Sequence, residues 1–416
     1  MSTTTEVWAN WGLTPRVHPA WRAPVATERL AQVGLPSTRD EAWRNTSLKV
    51  ALQAAYGAPT SAPLSVEERR AIDAVLADGA QRVAVVVDGR LEPALGRGVG
   101  LAAADAEVPV GGLAVNGDGY AALADVFAPE VSMLRVARAD DGGLVQVVFV
   151  TRAAVPVVAH PRLWVGVEQG ARVTLLETHV VVGAAASLTN ALVELVVDAD
   201  ADVTHVVVDE VGGVGATRVR QTFVGVGSGA TYRRHLTSLG GGGLVRDVVD
   251  ARLDARASAT VDTIQLVHAG DHIDHRLVLR HVGRDACTQH TTRGVVTAKG
   301  RAVVDSNVHV AREAGGASAR QSMKHLLVSP DGDARARPRL EIEVDEVTAS
   351  HGATVGQLDA AQLNYLRSRG VPEPTARQML TEAFVAEVVD RAPSSVAALV
   401  RSKVQNVLPT RLGGGL

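Results

Sequence analysis

A chain of 416 residues has length for two or three folding units, and its formal charge of −3 argues against general electrostatic binding to nucleic acid. Hydrophobic residues make up 46% of it but aromatics only 3%, so Val and Ala carry the apolar load and many thin, repeated layers fit better than one large aromatic core. The one cysteine, Cys287, excludes an intramolecular disulfide, no apolar run approaches a membrane span, and the start, MSTTTEVWAN, has neither basic nor apolar leader character, so the composition predicts a soluble, cytoplasmic protein.

Residues 1–80 are predicted to be a mostly helical subdomain. Ser65 through Glu68 has the pattern of a capping box, followed by an apolar stripe at Ile72, Val75 and Leu76. Thr38 with Glu41 is a second helix start of the same kind. Trp8, Trp11, Trp21 and Trp43 are four of the five tryptophans, and their crowding near the N-terminus predicts a small anchoring core. APTSAPL at 58–64 has the composition of a linker. Residues 81–143 are a mixed connecting region, with a short buried strand in RVAVVVDG and a short helix at Tyr120–Ala128.

Residues 144–356 are strand after strand, separated by turns of Gly, Asp and Ala. An echo runs through VEQGARVT, VDADADVT, VGSGATYR, LDARASAT and VGRDACTQ: an apolar residue, a polar turn, an alanine, then extended sequence. The alanines are Ala171, Ala201, Ala230, Ala257 and Ala286, spaced by 30, 29, 27 and 29 residues. A repeat of this size marks a solenoid, and strands with small residues at the corners mark a β-helix. Val173 and Val203 are predicted to point inward.

Residues 357–416 return to helices. Asp359 is an N-cap, Gly370 stops the first helix, and Pro372 and Pro374 prevent its continuation. A second helix begins near Pro374 and a third at Ser394. The first two present more apolar side chains than a short cap needs, namely Leu363, Leu366, Met379, Leu380, Phe384 and Val388, which predicts a docking surface. His351, in SHGAT, sits where the strands give way to these helices.

The densest polar cluster is LVHAGDHIDHRLVLRH, with His268, His272, Asp274, His275 and His281. Histidine and carboxylate this close could form a zinc or non-haem iron site. On a strand, however, His272 and Asp274 share one face while His275 and His281 share the other. The favoured reading is therefore a set of solvated or hydrogen-bonded strand histidines. Cys287 follows a corner and reads as a small buried residue. One thiol cannot hold a conventional iron–sulfur cluster, which takes about four thiolates or two thiolates with two histidines. No nucleotide-binding or hydrolase motif is present; LGGGGL at 239–244 lacks the Lys and acidic follow-up.

The stretch SHGATVGQLD followed by LNYLRSRGV resembles the C-terminal region of the SufB/SufD family, scaffold components of SUF iron–sulfur cluster assembly. It is more similar to the SufD branch; SufB members usually carry Glu where Gly352 stands. LPSTRDEAWRNTSL is similar to the family's N-terminal motif, and the resemblance covers most of the chain. It implies a right-handed parallel β-helix flanked by N-terminal and C-terminal helical subdomains, and a non-catalytic scaffold role. It implies that SufB pairs at the end of the β-helix, with His351 beside a nascent cluster and able to share a metal with SufB. It also implies that the SufC ATPase docks on the C-terminal helices. No stable cofactor is implied for this chain alone; flavin binding, and a homodimer of the isolated chain, stay open. Many SufD relatives have Cys two residues before this histidine, where Ala349 stands here. The alternatives are a β-helix carbohydrate-active enzyme, which would need a groove carboxylate pair and aromatic platforms, or the SufB paralogue itself.

Overall fold

The structure, a computed structural model, describes residues 11, 23–60, 62–80, 82–98, 102–103, 110–140, 143–210 and 213–412. Trp8 and Trp21 lie outside them, as does the GGGL tail. The helices are α1 (Ala23–Val33), α2 (Lys49–Gln53), α3 (Val66–Asp73), α4 (Gly119–Phe127), α5 (Ala360–Ser368), α6 (Glu373–Val389) and α7 (Ala397–Leu412). The strands of the first part are β1 (Arg82–Val87), β2 (Arg90–Leu91), β3 (Ala102–Ala103), β4 (Ser132–Val136), β5 (Leu144–Arg152), β6 (Val157–Ala159) and β7 (Arg162–Val167). The repeating coils follow as β8 (Arg172–Val182), β9 (Ser187–Val197), β10 (Asp202–Glu210), β11 (Ala216–Val226), β12 (Thr231–Leu239), β13 (Leu244–Leu253) and β14 (Ser258–Val267). The last are β15 (His272–His281), β16 (Cys287–Val296), β17 (Arg301–Val310), β18 (Ala317–Leu327), β19 (Asp333–Ile342) and β20 (Val347–Gly356).

Alternate strands belong to two facing sheets. The even strands from β8 to β20 stack in order in one, continued upstream by β5 and β1; the odd strands from β9 to β19 stack in the other, continued by β7 and β4. Consecutive coils pair in parallel, as Val173↔Val203 and Val203↔Tyr232 show. The result is a parallel β-solenoid of about 8 turns with helices near both ends of the chain.

The alanine echo is the corner of each coil. A residue with positive φ precedes every one of those alanines: Gly170, Asp200, Gly229, Arg256 and Asp285, and Gly316 before Ala317 continues the series. The left-handed residue turns the chain sharply, and the next position faces the core in a space that admits only a methyl group. The five alanines are each at most 1% exposed. The turn amides bond from coil to coil, Asp200 to Ser228 at 3.0 Å, Gly229 to Ala255 at 2.9 Å and Arg256 to Arg284 at 2.8 Å. Backbone groups at the corners are thus satisfied without helices or side chains.

Alternation along each strand puts Val173, Val203, Tyr232 and Ala259 inside, with Leu195, Val224 and Leu279 facing them from the other sheet. Helices cover part of the outer faces. Residues of α3 and α7, with Ala392 and Val396 just ahead of α7, pack on β1, β5 and β10, and α6 with the rest of α7 packs on β12, β14 and β16. The capping box at Ser65 and Glu68 is formed in both directions. The start expected at Thr38 is not a helix N-terminus of that kind: only a single 3₁₀ turn follows at Glu41–Trp43, because Glu41 is drawn away to arginines of β19. Trp11 and Trp43 do join a small core with Tyr56, Tyr120 and Leu123. Among the described residues no helix is long and apolar enough to cross a membrane.

Candidate functional site

The two ends of the solenoid differ. At the first coil, β2 pairs antiparallel with β1 and β3 pairs antiparallel with β4, which closes both sheets. At the last coil, β19 and β20 each end their sheet, and among the described residues no strand lies on their outer edges. Unpaired edges with free N–H and C=O groups are templates for another strand. Ile342 and Val355 are 40% and 45% exposed there, so apolar surface accompanies the open edges.

His351 lies on β20 and is exposed. Its partner in the ladder is Gln321, and the same rung runs back through His290, Val261 and Arg234 to His205. Those residues point inward, so His351 is the outermost member of an interior row, uncovered because the coils stop. Ala349 and Ala353 flank it on the same face, where methyl groups leave the imidazole room.

The interior behind it has an apolar half at the alanine corners and a polar half at the other end of the strands. Glu177 is the hub: His179 Nε2 lies 2.5 Å and His205 Nε2 2.9 Å from its carboxylate, and His205 Nδ1 is 3.1 Å from the Tyr232 hydroxyl. Arg220 donates to Asp247 at 2.7 Å and to Asp209 at 3.3 Å, Arg234 donates to Asp247 at 3.0 Å, and Arg218 pairs with Asp209. Three carboxylates therefore face three guanidiniums. Burial alone would push the Glu177 carboxyl up, yet the hydrogen bonds from His179 and His205 hold it well below the usual range. Burial likewise opposes ionisation of Asp247, and Arg220 with Arg234 brings it down to about 2. Burial lowers His179 and His275 to about 4, so both imidazoles are neutral. These carboxylates are committed to arginines and histidines inside a closed stack, an arrangement unlike the open acid pair of a glycosidase.

The histidine cluster divides as strand parity requires. His272 and Asp274 lie on the outer face of β15, where the Thr46 hydroxyl is 3.0 Å from His272 Nε2 and also bonds Asp274, itself paired with Arg246. His275 and His281 face inward, bonded to Ser238 at 3.0 Å and Thr288 at 2.9 Å. Of the solvated or hydrogen-bonded states expected for these histidines, these two are hydrogen-bonded and not solvated, 6% and 0% exposed, because the inner face of this strand is core. His268 is separate again, paired with Asp271 at 2.9 Å. Among the described residues no group of three or more His, Cys, Asp or Glu side chains is placed to hold a metal ion.

Cys287 is exposed rather than buried. Ala286 takes the corner space, so the cysteine, one residue later, turns outward, on the face of its sheet opposite His351. The six docking candidates also divide. Met379 is 46% exposed, and Leu363, Leu366 and Leu380 are half-buried on a hairpin of α5 and α6. Phe384 is half-buried at the edge of the core beneath α6, and Val388 is fully buried there against Ile264 and Val295, with no surface left for a partner. Helix α5 contains no buried residue, and the hairpin is held to the solenoid through the C-terminal half of α6. Sequence reasoning missed Glu177, Asp209, Arg220 and Asp247; the available signal was charge at inward-parity positions of strands.

A family model for the SUF system FeS cluster assembly, SufBD core domain, matches residues 149–384, from β5 into α6. The iron–sulfur cluster assembly protein SufD of Escherichia coli (strain K12) is 26% identical over 381 residues, covering 89% of this chain and 89% of that protein. SufD of Bacillus subtilis (strain 168) is 28% identical over 240 residues, 54% of this chain and 52% of that one. A SufBD family protein of Synechocystis is 28% identical over 249 residues, 57% of this chain and 54% of that one.

Proposed function

Because this chain belongs to the SufBD family of the SUF iron–sulfur cluster assembly system, we propose that it is a non-catalytic scaffold subunit that pairs end to end with a SufB chain through β19 and β20. The observation that carries this reading is the asymmetry of the ends: antiparallel strands close the first coil, and the last coil is left open. A second solenoid laid against β19 and β20 would satisfy their edges and cover Ile342 and Val355. His351 would then lie at the junction. A neutral imidazole is a competent iron ligand, and a protonated one would stabilise a neighbouring thiolate. Cys287 is on the wrong face to assist, so thiolates for a nascent cluster, the cargo of this system, come from the partner.

The α5–α6 hairpin is the proposed dock for the SufC ATPase. Met379, Leu380, Leu363 and Leu366 offer an apolar surface on this hairpin, and Val388 and Phe384 root that element in the solenoid. ATP hydrolysis belongs to that partner, since this chain has no phosphate-binding loop.

The test is anaerobic reconstitution of the co-expressed complex. His351→Ala should leave the complex intact and strongly reduce its iron content and cluster absorbance, whereas His309→Ala, a partly exposed outer-face histidine of the neighbouring coil, should change neither. Met379→Glu should release SufC without releasing SufB. Clusters forming at the normal rate on the His351→Ala complex would refute the role given to that residue.

A further inference from the structure

The N-terminal motif RDEAWRNTSL lies far from His351 in sequence, yet it reaches the open end. Its anchor is firm. Trp43 is 2% exposed; the Arg246 guanidinium sits 4.0 Å from its ring centroid, the Tyr120 ring lies 4.9 Å away, and Nε1 donates to Asp118 at 2.9 Å. Arg246 also donates to the Ala42 carbonyl at 2.6 Å. Thr46 is 1% exposed and engages His272 and Asp274. These contacts fix the segment to β13 and β15.

From that anchor two side chains extend to β19, the last strand of its sheet. Glu41 accepts from Arg337 and, at 3.4 Å, from Arg339; the Asn45 side-chain oxygen accepts from Arg335 at 2.9 Å. Arg335, Arg337 and Arg339 alternate along β19 and so project from one face of one edge strand. Three like charges on a strand held from one side only repel each other and loosen it. Asp305 of β17 offsets part of this, 3.1 Å from Arg339 and 3.4 Å from Arg337, and Asp333 on the same face of β19 pairs with Arg335 at 3.3 Å. Among the described residues Glu41 is the carboxylate that reaches them from outside the sheet.

We propose that residues 40–46 are a strap that sets the position of β19 at the open end, with Glu41 as its positioning residue. The inference rests on reading that end as the partner-binding end. It explains why a motif with no catalytic or ligand-binding chemistry combines Glu, Trp, Asn and Thr at these spacings. Trp43 and Thr46 hold the strap to the middle coils, and Glu41 and Asn45 carry its position to the last one.

The test compares the full-length wild type with Glu41→Arg, Arg337→Glu and the double reversal, by amide hydrogen exchange and by titration with SufB. Glu41 is exposed, so the substitutions leave the core intact. In Glu41→Arg, exchange within 333–342 should rise by about tenfold with the other coils unchanged, and SufB affinity should fall by a similar factor. The double reversal should restore both, and neither single reversal should match it. Unchanged exchange in β19, a rise spread over the whole chain, absence of rescue, or faster β19 exchange with undiminished SufB affinity would each overturn the proposal. Should wild type not bind SufB through this end, the pairing reading fails, while the exchange comparison in the free chain still decides whether the strap holds β19.

Discussion

Acidification should unfold this protein cooperatively as its buried histidines take up protons. His179, His235, His275, His281 and His325 are lowered by burial to about 4, and His160 and His290 to about 3, all from an ordinary value of 6.5. A folded-state value below the unfolded one means that the unfolded chain binds protons first. The stabilisation is complete above pH 6.5 and is lost as pH falls toward 4. At pH 5 each such histidine has given up on the order of 2 kcal/mol, so a few of them together offset much of the stability of a typical domain. Asp88, Asp125 and Asp262, raised by burial, act in the opposite sense and offset part of this loss. The assay is far-UV circular dichroism against pH at 25 °C, with urea melts at each pH. The expected result is a single steep transition between about pH 5.5 and 4.5, with unfolding free energy falling by several kcal/mol per pH unit above it. His325→Gln removes one of these titrations and should shift the midpoint downward by a few tenths of a unit, provided its own stability loss at pH 7.5 is subtracted. Stability that stays flat from pH 7 to pH 4.5 would refute the assignment of these histidines to a dry interior.

Two further substitutions test the register. Val203 is fully buried between Val173 and Tyr232, so Val203→Asp should cost on the order of 4 kcal/mol in urea unfolding, and an unchanged midpoint would contradict the inward assignment. Arg256 holds a left-handed corner conformation with φ near 56°, so Arg256→Gly should stabilise the chain by about 1 kcal/mol, and Arg256→Val should lower its melting temperature.

The fold was legible because the solenoid repeats a local constraint. Each corner needs one left-handed residue followed by one residue no larger than alanine, and that pair shows in sequence even when the rest of the coil has drifted. Strand parity is equally readable, and by itself it separates His272 and Asp274 from His275 and His281, as the structure does. Parity alone does not say which face is core when both faces are covered. For His275 parity therefore leaves solvent and hydrogen-bonded interior equally open, and the residue lies beside Asp247 and Ser238 in the interior. The same ambiguity hid Cys287, where a shift of one position past Ala286 exchanges inside for outside, and Val388, whose helix buries the face that faced no one in sequence. The interior hub was less accessible still. Glu177 and His205 are 28 residues apart, one coil in the ladder, and they meet only once the register of β8 against β10 is set. The strap lies further out of reach: Glu41 and Arg337 are separated by 296 residues, and a surface ion pair leaves no periodic trace. What a repeat protein writes openly is the contact each coil makes with the next. The contacts that bind the first residues to the last coil, and leave that coil open beside His351, have to be read from the assembled stack.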